Sequence, residues 1–84
     1  MNVELITPEK KWFSGEAERV QMPATDGMFE VLNHHAPLIA ALKQGSVKIT
    51  SKATGVKQLN ISGGFAEVLN NNVVILAESA SEIA

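Results

Sequence analysis

The stretch Pro23–Pro37 reads Pro-Ala-Thr-Asp-Gly-Met-Phe-Glu-Val-Leu-Asn-His-His-Ala-Pro and contains a turn, a short strand and a corner. Asp26 and Gly27 favour a turn, because glycine tolerates positive φ and an aspartate side chain binds nearby backbone amides. The next five residues alternate, which predicts a strand with Phe29 and Val31 on one face. The last five end that strand, since a residue before proline is disfavoured in the helical region.

The composition excludes several classes of protein. A chain of 84 residues predicts one domain, which buries about 60% of the surface of its unfolded state. The net charge of −2 without a basic stripe argues against a nucleic-acid partner. The absence of cysteine excludes a disulfide framework and a zinc–thiolate site. No signal peptide is recognisable and the apolar runs are too short to span a bilayer, so direct membrane insertion is not expected.

The whole chain has the pattern of an all-β protein. Short alternating segments separated by turn residues roughly every eight to twelve positions predict an antiparallel sandwich or barrel. The predicted strands after the first turn and corner cover residues 46–51, 56–62, 65–69 and 73–77. An earlier extended run changes its buried face between Ala17 and Val20, which requires a bulge or break, and Gly15 is the expected bend.

Two segments carry a helical signal. Residues 36–45 favour a short helix by local propensity, with Pro37 at its first position and Gly45 after its end, but a strand that leads into a turn competes. Ser79 and Glu82 have the capping-box spacing that opens a helix, although about one turn of helix is not stable alone.

The sequence contains no convincing catalytic, cofactor or metal site. His34 and His35 are neighbours in an extended segment, so their side chains point to opposite faces and do not form a shared metal site. A histidine beside a proline corner is expected to bond the backbone or to lie at an interface. The Ser62–Gly64 run lacks the lysine and the following helix of a phosphate loop, and predicts a tight corner. No nucleophile, base and orienting group fall on adjoining elements.

Several apolar residues exceed what a core this small is expected to hold. They are Met22, Met28, Leu32, Ile39 and one face of residues 73–76. An apolar patch outside the core indicates a protein partner, and methionine is common on such surfaces. The alternative is that a two-sheet fold absorbs these side chains.

A set of ordered motifs resembles a known family. The motifs are Phe13-Ser14-Gly15, Val20, Asp26-Gly27, His35-Ala36-Pro37-Leu38, Lys43-Gln44-Gly45, Ser62-Gly63-Gly64-Phe65, Glu67-Val68 and Val74-Ile75-Leu76-Ala77. Together they resemble the epsilon subunit family of F-type ATP synthases over essentially the whole chain. The resemblance implies a flattened ten-stranded antiparallel β-sandwich of two sheets at residues 1–78. It also implies an extended segment 36–42, and a tail at 79–84 where the family's C-terminal helical hairpin would begin; that hairpin is not expected in these residues.

The function that the resemblance implies is mechanical and non-catalytic. The chain would be a central-stalk rotor subunit that helps couple proton or sodium-ion flow to ATP synthesis, with catalysis on the beta subunits. Its partners would be the gamma subunit, the membrane c-ring and the rest of the synthase. It would be a peripheral membrane protein on the cytoplasmic side of a bacterial inner or plasma membrane, or on the stromal side of a thylakoid.

The resemblance also implies two interfaces. The gamma-facing residues would be His35, Ala36, Leu38 and Ala40. The c-ring-facing residues would be Asp26, Gly27, Met28 and Glu30. Many family members carry an acid at the position of Met28, and Glu30 is the expected substitute. Without the hairpin, no inhibitory arm and no nucleotide site are expected in these residues. The rival functions are a free-standing adaptor sandwich and a small-ligand- or metal-binding barrel that uses His34, His35 and Glu30.

Overall fold

The computed structural model describes residues 1–83, which form ten β-strands and no helix. The strands are β1 (Asn2–Ile6), β2 (Lys11–Glu16), β3 (Arg19–Ala24), β4 (Gly27–Leu32), β5 (Leu38–Leu42), β6 (Gly45–Ser51), β7 (Gly55–Ile61), β8 (Gly64–Leu69), β9 (Asn72–Ala77) and β10 (Ala80–Glu82). The all-β fold predicted from the sequence is confirmed. Residues 36–45, for which helix and strand were both open, contain the strand β5 and no helix, as the family resemblance implies.

The ten strands are joined by continuous hydrogen bonding, and the arrangement folds into two layers. The order is β10-β7-β6-β3-β5-β8-β9-β1-β2, and β4 pairs with the other edge of β3. The first sheet therefore contains β4, β3, β6, β7 and β10, and the second contains β5, β8, β9, β1 and β2. A single pair, Ala24 with Leu42, joins them. Every pairing is antiparallel except β1 with β9, and the molecule measures 27 × 27 × 21 Å.

The core lies between the two sheets and is built from alternate residues of most strands. Residues that lie opposite each other on paired strands point to the same side of a sheet. One buried pair therefore shows which alternate residues of both strands face the core. The fully buried large side chains are Val3, Leu5, Val20, Met22, Val31, Val47, Ile49, Leu59, Ile61, Val68, Val73 and Ile75. Trp12, Phe13, Phe29 and Leu38 pack against this cluster from its margins.

Met22 belongs to this core, which agrees with the alternative that a two-sheet fold absorbs it. Its side chain is 0% exposed, whereas Met28 is 62% exposed. The difference follows from register, because Met22 pairs with the inward Phe29 while Met28 pairs with Pro23 on the outer face.

The two methionines provide a matched test of this register. We expect Met22→Ala to lower the free energy of unfolding by about 2–5 kcal/mol, because it leaves a cavity in the core. Met28→Ala should change that free energy by less than about 0.5 kcal/mol, because the side chain is exposed. Urea denaturation of both variants measures the difference. Equal losses at the two positions would contradict the assigned faces of β3 and β4.

The break between β2 and β3 lies at Ala17 and Glu18, so the predicted bend at Gly15 is wrong. Gly15 pairs with Val3 inside β2. Ala17 is buried, and the Glu18 amide donates to the Thr50 carbonyl at 2.9 Å. The break belongs here because β2 lies in the second sheet and β3 in the first, so the chain must cross between layers.

The C-terminal segment forms β10 instead of the predicted first turn of a helix. Its three residues pair with β7 in antiparallel register. Lys57 Nζ lies 3.0 Å from Glu82 Oε1, and this hydrogen bond and charge lower the pKa of the Glu82 carboxyl below its usual value. One turn of helix gains few backbone bonds, whereas β7 offers a complete edge to pair with. The boundary between residues 78 and 79 stays a prediction.

Candidate functional site

The outer surface of the second sheet carries a cluster of exposed apolar side chains. The cluster consists of the exposed residues Ile39, Ala41, Phe65, Leu69 and Leu76 and the half-buried Val74, and is called the apolar face below. Ile39 is 76% exposed, Phe65 61% and Leu76 54%. The register brings these strands together, because Phe65 lies opposite Ala41 on one side and Leu76 on the other.

Two-sided hydrophobicity of β8 and β9 creates this face. On β9, Val73 and Ile75 point into the core while Val74 and Leu76 point outwards. Because β9 is apolar on both faces, its sequence predicts a strand that is central in its sheet or covered on its outer side. The strand is central, between β8 and β1, and no other element of the described residues covers its outer side. Exposed apolar patches of this kind mark sites of protein association.

An open groove of about 680 Å³ continues the apolar face towards one end of the sandwich. Its apolar lining comes from Ile6, Pro8, Ala41, Leu42, Phe65, Leu76 and Ala77, and its polar rim from Thr7, Ser62 and Glu78. Gly64 lies where β8 begins and approaches β9 closely. A Cβ atom on Gly64 would be 2.1 Å from the Leu76 carbonyl oxygen, so only glycine allows these strands to pack here.

Two of the predicted gamma-facing residues lie on the inner side of β5. Leu38 is paired with Val68 and Ala40 with Ala66, and both partners belong to the core. Leu38 and Ala40 are themselves half-buried. The outward residues of β5 are Ile39 and Ala41, and both are exposed. Alternation separates Leu38, Ala40 and Leu42 from Ile39 and Ala41, and the burial of Leu42 in the structure shows which set faces the core.

The other two predicted gamma-facing residues lie in the corner between β4 and β5. His35 Nδ1 donates to the Ala36 carbonyl at 2.8 Å, in agreement with the expected backbone bond. His34 has a φ of 63°, and its amide donates to Asn71 Oδ1 at 2.8 Å. Within residues 1–83, no group of three or more His, Cys, Asp or Glu side chains is arranged to hold a metal ion.

The predicted c-ring-facing residues lie on and after the β3–β4 turn. Ala24 pairs with Gly27, which has a φ of 129°, so Thr25 and Asp26 form a two-residue turn. The Thr25 amide donates to the Ala41 carbonyl at 3.1 Å. The turn therefore lies directly beside the apolar face, whereas the His35 corner is at the other end of β4, roughly 17 Å away.

Met28 and Glu30 share the outer face of β4, as their spacing predicts. Glu30 Oε1 lies 3.5 Å from Arg19 Nη1 across the strand pair. Both side chains are partly exposed, so solvent weakens this ion pair and Glu30 stays accessible.

No described segment is a helix with the length and hydropathy needed to cross a membrane.

Comparison with known proteins gives consistent matches. The family model described as the ATP synthase delta/epsilon chain β-sandwich domain matches residues 1–83. An ATP synthase epsilon chain of Caulobacter vibrioides is 43% identical over 84 residues, which cover 100% of this chain and 96% of that relative. One from Chlorobium limicola is 40% identical over 79 residues, which cover 94% and 90%.

A solved structure shares the fold. It is a chain of the Euglena gracilis mitochondrial ATP synthase, in a cryo-EM structure of OSCP, F1 and the c-ring. The TM-score is 0.88 at 23% identity, and the match covers 95% of this chain and 51% of the Euglena chain. This chain therefore spans about half the length of that structural neighbour.

Proposed function

Because the chain belongs to the ATP synthase delta/epsilon family of β-sandwich domains, we propose that it is an epsilon-type subunit of the central stalk of an F-type ATP synthase. The subunit is non-catalytic, and ATP chemistry takes place on the beta subunits. Its work is to join the rotating parts of the complex and so help couple proton or sodium-ion flow to ATP synthesis. The observation that carries this proposal is the exposed apolar face on a sandwich of this family.

The apolar face and the adjoining groove are the proposed gamma-binding surface. Large apolar side chains at the centre of an obligate interface lose their contact with water on assembly, which favours association. Ile39 and Phe65 are the proposed central contacts. His35 and Ala36 stand at one end of β5 as proposed marginal contacts, while Leu38 and Ala40 support the outward residues of that strand from the core side.

The β3–β4 turn is the proposed contact with the c-ring. Asp26 and Gly27 form its tip, and Met28 and Glu30 continue its outer surface along β4. Glu30 is the proposed acidic contact in place of Met28, because it lies one step further along the same face. The hydrogen bond between Thr25 and Ala41 ties this turn to the apolar face. A close-packed sandwich deforms little, so both partners would be held by one stiff body.

The complex that contains this subunit is membrane-associated. We place the chain on the cytoplasmic side of a bacterial inner or plasma membrane, or on the stromal side of a thylakoid membrane. Its attachment there would be through the gamma subunit and the ring.

Copurification tests the proposed function. We expect the chain to form a stable 1:1 complex with the gamma subunit of the ATP synthase from the same organism, and mass measurement of the eluted peak detects it. The control is gamma mixed with an Ile39→Asp variant, which should elute as separate proteins. If a folded gamma subunit does not bind the unaltered chain, the proposal is contradicted.

A further inference from the structure

Glu67 places a carboxylate in the middle of the apolar face. It lies on β8 with Phe65 and Leu69 as its neighbours on the same side of the strand. The register puts it directly opposite Ile39 on β5 and Val74 on β9. Directly opposite residues have Cβ atoms about 4.5–5.5 Å apart. Four apolar side chains on three strands therefore surround this one charge.

The Glu67 carboxylate has no hydrogen-bond or ion-pair partner among residues 1–83. By contrast, Glu4, Glu30 and Glu82 each pair with a lysine or an arginine. Water hydrates Glu67 while the face is open. An apolar partner that covered the face would remove this water and leave a buried charge unpaired, which is strongly unfavourable.

Two shallow depressions lie on either side of Glu67. One holds about 350 Å³ and is lined by the apolar residues Pro37, Leu38, Ile39 and Leu69. The other holds about 160 Å³ and is lined by the apolar residues Ile39, Phe65, Val74 and Leu76. A complementary surface must therefore offer an apolar group, a cation and a second apolar group in that order.

We propose that the protein that covers the apolar face seats one lysine or arginine side chain on Glu67 and fills the two depressions with apolar side chains. Charge complementarity identifies this occupant, since a cation compensates the full charge of the carboxylate once water is removed. The inference rests on the proposed function, in which the occupant is the gamma subunit. The pair would set the register of the interface, because a shifted partner would bury Glu67 without a cation.

Neutralising Glu67 tests the pair. Glu67→Gln keeps the size of the side chain, and we expect it to weaken binding to the gamma subunit by at least about 30-fold, mostly through faster dissociation. Glu16→Gln is the control, because Glu16 is exposed on β2 at the far edge of the same sheet. It should leave the affinity within about twofold. Binding kinetics on immobilised gamma measure both, and thermal melts verify that each variant is folded.

Charge reversal identifies the partner's cation. Glu67→Lys should prevent detectable binding, and a lysine- or arginine-to-glutamate change at the contacting position of gamma should restore it. The inference is overturned if Glu67→Gln binds within about twofold of the unaltered chain, or if Glu67→Leu binds more tightly. Failure of the unaltered chain to bind gamma contradicts the proposed function. If gamma binds the unaltered chain and the Glu67 variants with the same affinity, only this inference is contradicted.

Discussion

Replacement of Gly64 by alanine is expected to prevent stable folding. The new Cβ atom would lie 2.1 Å from the Leu76 carbonyl oxygen and 2.9 Å from Ala77 Cα, and both are backbone atoms of β9. These strands cannot separate without breaking a ladder that borders the core. Gly64 also has a φ of 149°, which side chains rarely adopt. We expect a loss of at least about 4 kcal/mol, against a total stability of roughly 4–13 kcal/mol for this length.

Gly55→Ala is the matched control for Gly64→Ala. Gly55 has a φ of 82°, but nothing lies within 4 Å of an added Cβ atom. Its alanine variant should therefore lose only the conformational cost, roughly 1–2 kcal/mol. Circular dichroism and urea denaturation separate the two cases. A Gly64→Ala variant as stable as Gly55→Ala would show that β8 and β9 do not approach each other as described.

We expect Ile39→Asp to impair gamma binding and Ala40→Asp to impair the stability of the fold. Ile39→Asp places the charge on the apolar face, and we expect gamma binding to weaken by roughly 30- to 1,000-fold with the fold intact. Ala40→Asp turns the same charge towards the core, beside Ala66. It should destabilise the isolated chain by about 2–4 kcal/mol.

Thermal melts and binding to the gamma subunit should be measured for both variants. The proposed surface predicts a normal melting temperature with lost binding at position 39, and a lowered melting temperature at position 40. Unfolding of Ile39→Asp would mean that the outer side of β5 is part of the core. Normal binding by Ile39→Asp would move the gamma contact away from the apolar face.

The strands and turns were predictable because their signals are local. Alternation in β4 placed Phe29 and Val31 on one face, which the structure turns towards the core, and Asp26 with Gly27 marked a turn that the structure contains. The family motifs resolved β5, where propensity alone left a helix open. Each of these patterns involves only a few neighbouring residues, so it can be recognised in the sequence without knowledge of the fold.

The candidate site was only partly predictable. The resemblance implied a gamma-facing segment around Ile39, but the residues that it implied include Leu38 and Ala40, whose side chains face inwards. In the sequence, Glu67 is only one member of the family motif Glu67-Val68, since a glutamate on a strand is ordinary until its neighbours are known. Its significance comes from Ile39 and Val74, which lie far from it along the chain and are opposite it only through β5 and β9.

The sequence by itself determined the strand pattern, the turns and the family. Tertiary structure decided the burial of Met22, the crossing at Ala17 and the strand conformation of Ala80–Glu82. It also decided which side of β5 is covered. The physical reason is that a period of two assigns residues to two faces but does not say which face is covered. That choice depends on pairing between distant strands, which also supplied the edge of β7 that made β10 a strand.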